Sequence, residues 1–568
     1  MRKHLLSSRM ALFALAVLLM AAGVVSKLVY LQVFHCREYR AEAQEQAEGR
    51  IKIELPRPQF LDRNGVVLAG SVEKPSLCVM KPQEIENVNA LADRVSRMSG
   101  EPSRSILSRL SSRKTFTWLA RKLPAEMTEE AEHIASSFEG VSLVREWGRY
   151  YPKGRLASNL IGTVGIDGGL SGLEDNWNRQ LSQGEREYII FRVGKKTKLY
   201  PIESLGSLVE EPPAIVLTID EAIQYEVEKK LDEAFETYKP VSAAAIVMSV
   251  PDGEILAMGV RPNFDPNRPG DSRPRDWRNI AVLDSYEPGS TFKLITVAAA
   301  LETGAITPYD QILVGDGSLT IGDHTIHDDH PPHKSFYSVE EVITFSSNVG
   351  AARIGMMIPR QAFYDFMTEK FGFGRPTKLR MKGESSGYIS RPKSWSALSA
   401  PSISFGQEVR VSPLQLAVAY GTVASEGVRV TPKIIRGVPS PPPEKVLSES
   451  NARALIRMLT NVVDEGTGKS ARIPLVEVAG KTGTAQKLGL KLEAGRRGRI
   501  AYFVGFAPAE DPRIVTLVMV DDPVGQVYGG AVSAPIFADI TSFALKRLNI
   551  RFRPYVPEDL AMLSRENR

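Results

Sequence analysis

Ser290 and Lys293 have the residue types and the spacing that nucleophilic catalysis by a serine requires. They lie in the segment 287–293 (EPGSTFK), directly before the apolar stretch 294–301, which has the pattern of a helix that Gly304 can end. At positions i and i+3 the two side chains lie on one helix face, where the lysine amine can accept the serine proton. The lysine acts as a base only if burial or a neighbouring cation lowers its pKa. Taken alone, S-x-x-K is a weak signal, because an ordinary helix N-cap accounts for it as well.

Two further motifs, later in the chain, could complete such a site. An S-x-N motif offers a hydroxyl that can shuttle a proton and an amide that can orient a substrate; it consists of Ser346, Ser347 and Asn348. A K-T-G-T motif offers a cation, two hydroxyls for a substrate carboxylate, and a glycine that lets a peptide lie alongside an edge strand. It consists of Lys481, Thr482, Gly483 and Thr484. The ordered trio makes a chance occurrence of S-x-x-K a poor explanation.

The elements that must position these residues follow from hydrophobic periodicity and from turn and cap residues. Strands at both ends of the region, with helices between them, predict one antiparallel sheet in an α+β fold. Asp220 is the expected N-cap of the first helix. The predicted elements are a strand at 215–219, a helix at 221–238, hairpin strands at 243–250 and 254–260, strands at 500–507 and 514–520, and a closing helix at 531–548.

Composition excludes several classes of protein. The chain has 568 residues, of which 43% are hydrophobic and 24% charged, so it is neither disordered, collagen-like nor a polytopic membrane protein. The net charge of +5 comes without a long basic run, so we expect no nucleic-acid partner. Two cysteines, Cys36 and Cys78, are too few for a disulfide scaffold or a zinc site, although one bridge between them is possible.

The N-terminus has the composition of a membrane anchor. Residues 10–34 are apolar apart from Lys27 and a few polar residues, and as one helix they would rise about 37 Å, enough to cross a hydrocarbon core of about 30 Å. The basic residues Arg2, Lys3 and Arg9 precede the segment and place the N-terminus in the cytoplasm. The alternative is a cleaved signal peptide, but such a peptide would not need the apolar residues after Lys27.

With these motifs in place, the chain resembles a class B penicillin-binding protein, most closely the division-specific FtsI type, also called penicillin-binding protein 3. Two departures are Arg57-Pro58-Gln59-Phe60, where the family more often has Arg-Gly, and Ser347, where the S-D-N form has Asp. The resemblance covers the chain from the anchor to about residue 550. Its further motifs are 28–33 (LVYLQV), 62–65 (DRNG), 149–152 (RYYP), 169–174 (GLSGLE) and 528–531 (YGGA).

The resemblance implies an α+β fold with a single transmembrane helix, an elongated non-catalytic pedestal domain related to dimerisation domains, and a transpeptidase domain. The expected boundaries are 1–9 for the cytoplasmic N-terminus, 10–34 for the transmembrane helix, 35–213 for the pedestal, 214–550 for the transpeptidase and 551–568 for a C-terminal tail.

The implied activity is D,D-transpeptidation of peptidoglycan stem peptides without ATP, metal or organic cofactor. Ser290 would attack the penultimate D-Ala carbonyl, with Lys293 as its base. Ser346 and Lys481 would complete a proton route to the leaving D-Ala, and Asn348 would hold the substrate amide. Backbone N–H groups of Ser290 and Thr484 would form the oxyanion hole, and Thr482, Thr484 and Lys481 would receive the terminal carboxylate, with Gly483 giving room beside the strand.

The implied partners are the D-Ala-D-Ala donor and the amine acceptor, β-lactams as inhibitors, and an FtsW-type glycosyltransferase with other division proteins. The implied location is the cytoplasmic (inner) membrane at the septum, with the catalytic domain in the periplasm. A lateral-wall role remains the main alternative, and the sequence does not decide between the two.

Three other functions agree less well with the sequence. A class A β-lactamase would need E-x-x-L-N between the second and third motifs, whereas Leu-Asn occurs only at 548–549; a D,D-carboxypeptidase would also pass the acyl group to water. A bifunctional glycosyltransferase would need E-D-x-x-F-x-x-H, and the sequence at 174–178 is EDNWN. A catalytically silent scaffold would not need the intact trio.

Four histidines, His324, His327, His330 and His333, recur at a spacing of three, with Asp323, Asp328 and Asp329 among them. On an extended helix with three residues per turn they would share one side, so a metal site is conceivable. Because 331–332 are prolines and serine acyl transfer needs no Lewis acid, we expect a polar loop without catalytic metal. We expect no catalytic role for His133, Cys36 or Cys78.

Overall fold

The computed structural model describes residues 2–39, 48–111, 116–193, 196–201, 212–439, 441–491 and 497–555. Its contacts divide the chain into two compact units. The first unit comprises Met1–Pro56, Ser71–Gly148 and Ser182–Glu211. The second unit comprises Arg57–Gly70, Arg149–Leu181 and Pro212–Arg568.

The chain begins with an α-helix, Arg2–Val29, which continues as a π-helical turn, Tyr30–Phe34. The span Met10–Phe34 has a mean hydropathy of 2.4 and is not buried by the rest of the protein. The prediction of a continuous apolar helix is confirmed, and its length suits a single membrane crossing. Its retention in the mature protein stays a prediction, because a signal sequence has the same length and composition.

The first unit contains two β-sheets and a layer of helices. In one sheet the strand Val67–Met80, which enters from the second unit at residue 71, pairs with Phe116–Ala120 and with Val141–Tyr150. The other sheet has the order Glu48–Glu54, Glu185–Val193, Lys196–Pro201. Apolar side chains of the helices and of the first sheet form a common core; the helices are Val88–Ser99, Ser103–Leu110 and Thr128–Ser137.

The second unit is built on a five-stranded antiparallel sheet. The hairpin from its beginning and the hairpin from its end meet through the pairing of Ala245 with Val518. The predicted single antiparallel sheet is therefore confirmed. The strand order is Ile255–Arg261, Ser242–Ser249, Ile514–Asp521, Arg497–Ala507, Ala479–Lys491.

The sheet is buried on both faces because alternate residues of its strands enter different cores. In the strand Ser242–Ser249, Ala243 and Ala245 pack toward the helices Glu221–Tyr238 and Gly529–Arg547. The alternate residues Ala244, Ile246 and Met248 belong to a second core. That core also holds the helices Lys293–Glu302, Pro413–Ala424 and Glu449–Asp464.

The cap residue predicted from the sequence starts its helix as expected, whereas one predicted strand is shorter than expected. Asp220 caps the helix Glu221–Tyr238 and accepts hydrogen bonds from the N–H groups of Ala222 (3.1 Å) and Ile223 (3.3 Å). The predicted strand at 215–219 is shorter, because only Ile215–Val216 pairs in parallel with Phe60–Leu61. Further helices of this unit are Ser158–Ile161, Gly172–Asn176, Asn178–Leu181, Ile280–Leu283, Val339–Thr344, Asn348–Met357, Arg360–Asp365 and Ser399–Ser404. Its small hairpins pair Gln311–Leu313 with Phe336–Ser338, Ser318–Ile321 with His324–His327, and Tyr388–Ile389 with Val409–Arg410.

Two of the sequence motifs meet in a buried ion cluster of the second unit. The carboxylate of Glu174 is fully buried and lies 2.6 Å from Arg149 and 3.2 Å from Arg57. Arg149 also donates to the carbonyl oxygen of Pro58 at 2.7 Å. Breaking a buried pair on one side leaves an uncompensated charge, so each member of this cluster holds the others in place.

Candidate functional site

Ser290 lies in the 3₁₀ turn Gly289–Phe292, which leads directly into the helix Lys293–Glu302. The Nζ of Lys293 lies 3.0 Å from the Oγ of Ser290, so the predicted one-face geometry is present. The helix is apolar and fully buried around Lys293, because it runs through the main core of the second unit. A lysine at this position therefore has no access to water, while Ser290 remains half-buried.

The S-x-N motif meets the same lysine. Lys293 Nζ lies 3.2 Å from the hydroxyl of Ser346 and 2.8 Å from Oδ1 of Asn348, and it also donates to the carbonyl oxygen of Ser346. Ser346 has a φ of 60°, in the left-handed region, and this turn aims both its hydroxyl and its carbonyl group at the amine. Ser347 caps the helix Asn348–Met357 through a 2.9 Å bond from the N–H of Gly350.

The K-T-G-T motif lies on the edge strand Ala479–Lys491, which pairs with Arg497–Ala507. Lys481 is fully buried, with its Nζ at 3.3 Å from the carbonyl oxygen of Thr482. The Thr482 hydroxyl shares a 2.7 Å hydrogen bond with Thr467. Thr484 Oγ1 accepts a 3.3 Å bond from the N–H of Gly529.

The nucleophile turn and the edge strand approach each other through glycines. Gly289 has a φ of +55°, and a Cβ there would lie 2.9 Å from the carbonyl oxygen of Thr484. A Cβ on Gly483 would lie 2.7 Å from a methyl group of Thr291. Side chains at either position would push the strand away from Ser290, so these glycines set the width of the site.

Burial determines the charge state of the two lysines. Desolvation lowers the pKa of Lys293 to about 7, against the opposing effect of the nearby carboxylates Asp328 and Asp329. Desolvation, together with the charge of Lys293, lowers the pKa of Lys481 well below its ordinary value. Across the described residues neither amine forms a salt bridge. Lys293 can therefore be neutral near pH 7 and accept a proton.

The three motifs meet at a cleft of about 590 Å³. Ser290, Ser346, Thr482, Gly483 and Thr484 line it, while Lys293 and Lys481 are buried and Asn348 binds Lys293 beside it. All the predicted site residues are thus brought together. Further lining residues are Asp328, Asp329, His330, Pro331, His333, Tyr337, Phe345, Ser347, Glu465, Gly466, Thr467, Ser470, Tyr528, Gly529, Gly530 and Ala531.

Two of these lining residues hydrogen-bond the predicted motifs without belonging to any of them. Asp328 binds the S-x-N turn, and Thr467 binds Thr482. In the sequence, Asp328 stands out only as a neighbour of the four histidines. The one sequence signal for Thr467 is its position between Gly466 and Gly468, a turn pattern that precedes the edge strand.

The four histidines do not lie on one side of an extended helix. His324 and His327 are the first and last residues of one hairpin strand. His330 and His333 line the cleft, and His333 Nδ1 lies 2.9 Å from the hydroxyl of Tyr337. They are separated because the strand ends at His327 and the segment 328–335, which carries the other two histidines, is not part of it. The described part of the chain holds no group of three metal-ligating side chains, and the absence of a catalytic metal stays a prediction.

The remaining candidates belong to the first unit and are not among the residues that line the cleft. Cys36 and Cys78 are both free thiols, and burial together with the charge of Glu146 raises the pKa of Cys78 to about 12. His133 is on the exposed side of a first-unit helix, where it contacts Arg94 at 2.5 Å.

The antiparallel sheet, the buried lysine beside a serine and the K-T-G-T edge strand define the class of serine enzymes that includes penicillin-binding proteins and class A β-lactamases. The family model described as the penicillin-binding protein transpeptidase domain matches residues 243–542, and that of the penicillin-binding protein dimerisation domain matches residues 52–198. The chain belongs to the class B penicillin-binding proteins.

Relatives cover nearly the whole chain. The probable peptidoglycan D,D-transpeptidase PbpC of Pseudomonas aeruginosa is 34% identical over 95% of this chain and 94% of its own length. The peptidoglycan D,D-transpeptidase FtsI of Escherichia coli K12 is 31% identical over 96% of this chain and 93% of its own. The crystal structure of penicillin-binding protein 3 from Mycobacterium tuberculosis with aztreonam has a TM-score of 0.66 and 26% identity, and covers 89% of this chain and 99% of its own.

Proposed function

We propose that this chain cross-links peptidoglycan stem peptides as a D,D-transpeptidase, with Ser290 as the nucleophile, in septal wall synthesis. The single observation that carries the proposal is the buried amine of Lys293 at 3.0 Å from the Ser290 hydroxyl, with a pKa lowered to about 7. The names of the relatives PbpC and FtsI support the choice of substrate.

In the acylation step the Ser290 oxygen attacks the carbonyl carbon of the penultimate D-Ala, and the hydroxyl proton passes to neutral Lys293. N–H groups of Ser290 and Thr484 stabilise the oxyanion, supported by the close approach of Gly289 to the Thr484 carbonyl group. The peptide C–N bond then breaks, and the leaving D-Ala nitrogen receives a proton through Ser346 and Lys481. The 3.2 Å contact between Lys293 and Ser346 supports this route.

In the second step the amine of a neighbouring stem peptide attacks the acyl-enzyme. Its nitrogen forms the new peptide bond and gives one proton to Lys293, which is neutral again after acylation. The Ser290 oxygen leaves, and Lys293 passes that proton to it. The proton transfers among Ser290, the acceptor amine and Lys293 balance without a metal or organic cofactor.

Substrate binding involves the edge strand and the S-x-N turn. Thr482, Thr484 and Lys481 would bind the donor's terminal carboxylate along the edge strand. Asn348 would hold the substrate amide with the N–H that His327 does not use.

Penicillin labelling tests the active-site assignment. A β-lactam presents a strained amide and a carboxylate, so wild type should form a long-lived adduct with a fluorescent penicillin. Ser290→Ala should abolish labelling, and Lys293→Ala should slow it by about 10²–10⁴-fold. Thr484→Ala should matter less, because its oxyanion contact is a backbone N–H. Full labelling of Ser290→Ala would contradict the assignment, and rapid turnover of the drug would favour a β-lactamase or carboxypeptidase.

The finer location is also a proposal. The single apolar helix Met10–Phe34 supports a single-pass anchor in the cytoplasmic membrane, and Arg2, Lys3 and Arg9 support a cytoplasmic N-terminus. The resemblance to FtsI supports a septal position beside an FtsW-type glycosyltransferase. A fluorescent fusion should collect at the division site; distribution along the lateral wall throughout the cell cycle would favour the elongation role.

A further inference from the structure

Asp328 directly follows the hairpin strand His324–His327 and forms hydrogen bonds with the S-x-N turn, although it is not part of that motif. Its two carboxylate oxygens lie 3.1 and 2.9 Å from the Ser347 hydroxyl. The first of these oxygens also accepts the N–H of Val349 at 2.9 Å. Asp328 is thus bonded to the residues on both sides of Asn348.

The Ser347 hydroxyl connects this carboxylate to the helix that follows. Its oxygen accepts the N–H of Gly350 at 2.9 Å, and its one hydrogen is left for Asp328. The hairpin makes one more contact with the turn, because the His327 carbonyl oxygen accepts the side-chain amide of Asn348 at 2.9 Å. The hairpin end therefore fixes Ser347 by its hydroxyl and Asn348 by its amide.

These hydrogen bonds hold a turn whose backbone is strained at Ser346. Ser346 has a φ of 60°, which a residue with a Cβ rarely adopts unless its surroundings hold it there. The same conformation directs the Ser346 hydroxyl and carbonyl oxygens at Lys293. If the turn relaxed, the lysine would lose two of its hydrogen-bond partners at once.

The charge of Asp328 acts on the same lysine. Two charged groups act on the pKa of Lys293, the carboxylates of Asp328 and Asp329, and both favour its protonated form. The charge of Lys293 in turn lowers the pKa of Lys481. Tyr337, which also lies near Asp328, has its pKa raised by burial and, to a smaller extent, by that carboxylate. Removing the Asp328 charge should therefore make Lys293 harder to protonate.

We propose that Asp328 is a positioning residue that holds the Ser346-Ser347-Asn348 turn in its reactive shape and supplies, from the neighbouring hairpin, the carboxylate that an S-D-N motif carries at its centre. The inference rests on the proposed function, because it concerns how fast Ser290 is acylated. Sequence spacing did not indicate it, since Asp328 joins the turn only in the folded chain.

Acylation of the full-length chain in detergent by a fluorescent penicillin, followed by stopped flow as a function of pH, tests the proposal. Asp328→Ala removes both hydrogen bonds and charge, so it should slow acylation at the pH optimum by about 10- to 100-fold and move the acidic limb of the profile to lower pH. Asp328→Asn keeps an acceptor and should mainly move the limb. Ser347→Ala leaves the Asp328 charge in place, so it should lower the acylation rate without moving the acidic limb of the profile. Ser347→Thr retains the hydroxyl and should acylate at close to the wild-type rate.

Asp323→Asn is the matched control, because Asp323 is an exposed carboxylate in the turn of the same hairpin. It should retain the wild-type rate and profile. Melting curves identify variants that fail to fold; if Asp328→Ala does, Asp328→Asn and Ser347→Ala carry the test. An unchanged limb in Asp328→Asn, or a wild-type rate in folded Ser347→Ala, overturns the proposal while labelling of Ser290 continues. Labelling that persists in Ser290→Ala would instead overturn the proposed function.

Discussion

Two fully buried lysines, Lys293 and Lys481, lie within one site, and neither forms a salt bridge in the described structure. Burying an ammonium group without a partner is so costly that the group instead loses its proton. Such residues mark functional sites more often than structural ones. Four polar atoms surround the Lys293 amine in place of water, and two of them, the hydroxyl oxygens of Ser290 and Ser346, carry a proton that can be transferred.

The pH dependence of acylation follows from this environment. With a pKa of about 7, Lys293 is protonated below that pH and cannot accept the Ser290 proton, so the rate should fall as pH decreases through about 7. A pH series of penicillin acylation in wild type checks this expectation. Lys293→Ala should acylate more slowly, and its rate should no longer fall as pH decreases through about 7. A rate that is independent of pH in this range would exclude Lys293 as the base.

At the scale of elements, the helix Glu221–Tyr238 depends on the cap residue Asp220. This carboxylate also accepts from Asn64 at 3.0 Å and from Arg547 at 3.1 Å. Burial raises its pKa, but the hydrogen bonds of Arg547, Asn64 and Ile223 outweigh that effect, and the net pKa is lowered. Asp220 thus connects the start of the helix Glu221–Tyr238 to the end of the helix Gly529–Arg547.

Asp220→Ala should reduce the free energy of unfolding by about 1–3 kcal/mol at neutral pH, because it removes a cap and leaves polar partners unsatisfied. The folded pKa is below the unfolded value of 3.8, so this contribution is present above pH 3.8 and is lost as pH falls through the folded pKa. Denaturant unfolding at neutral and acidic pH measures both effects.

Glu236→Ala, on the exposed side of the same helix, is the control for that measurement. It should change stability by no more than about 0.5 kcal/mol. Equal losses in the two variants would show that the cap is not the source of the stability.

The histidine-containing hairpin is the second element with a testable property. Two of the four histidines lie on its strand His324–His327, and the other two line the cleft after it. Acyl transfer by a serine with a lysine base needs no Lewis acid. Exhaustive chelation should therefore leave penicillin acylation unchanged. The comparison uses untreated, chelated and zinc-restored samples. A loss of acylation on chelation that zinc reverses would show a catalytic metal after all.

At the scale of the whole molecule, residues 10–34 should do more than attach the enzyme to the membrane. Polar residues in such a helix tend to face partners or the interface, and Gln32 and Lys27 lie near its end, with Lys27 over the ring of Tyr30. Replacing the segment by an unrelated apolar helix of equal length should weaken division and co-purification with an FtsW-type partner. Gln32→Leu with Lys27→Leu is the smaller variant. If division and co-purification are unchanged in both, the segment is only an anchor.

The division of the molecule into units is less simple than a single boundary. Segments 57–70 and 149–181 group with the unit that holds the cleft, although they precede residue 214. The predicted limits of 35–213 and 214–550 stay predictions. The buried cluster of Arg57, Arg149 and Glu174 lies within these early segments, so removal of everything before residue 214 would take away part of the second unit.

The sequence by itself determined the elements whose signals are local. Asp220 caps its helix, the hairpins flank their turns, and Ser290 and Lys293 face each other because i and i+3 share a helix side whatever lies elsewhere. Motif order determined which distant segments would join them. These signals depend on neighbouring residues and on motif order, and both can be read along the chain.

Only the tertiary structure decided what surrounds Lys293. The pKa of its amine depends on burial by helices and strands far away in sequence, and Asp328 reaches the S-x-N turn only because a hairpin folds back onto it. The sequence likewise suggested one shared side for four histidines, but two lie on a hairpin strand and two in the segment that follows it along the cleft. Electrostatic and hydrogen-bond energies depend on distance in space, and spacing along the chain does not give that distance beyond a single element.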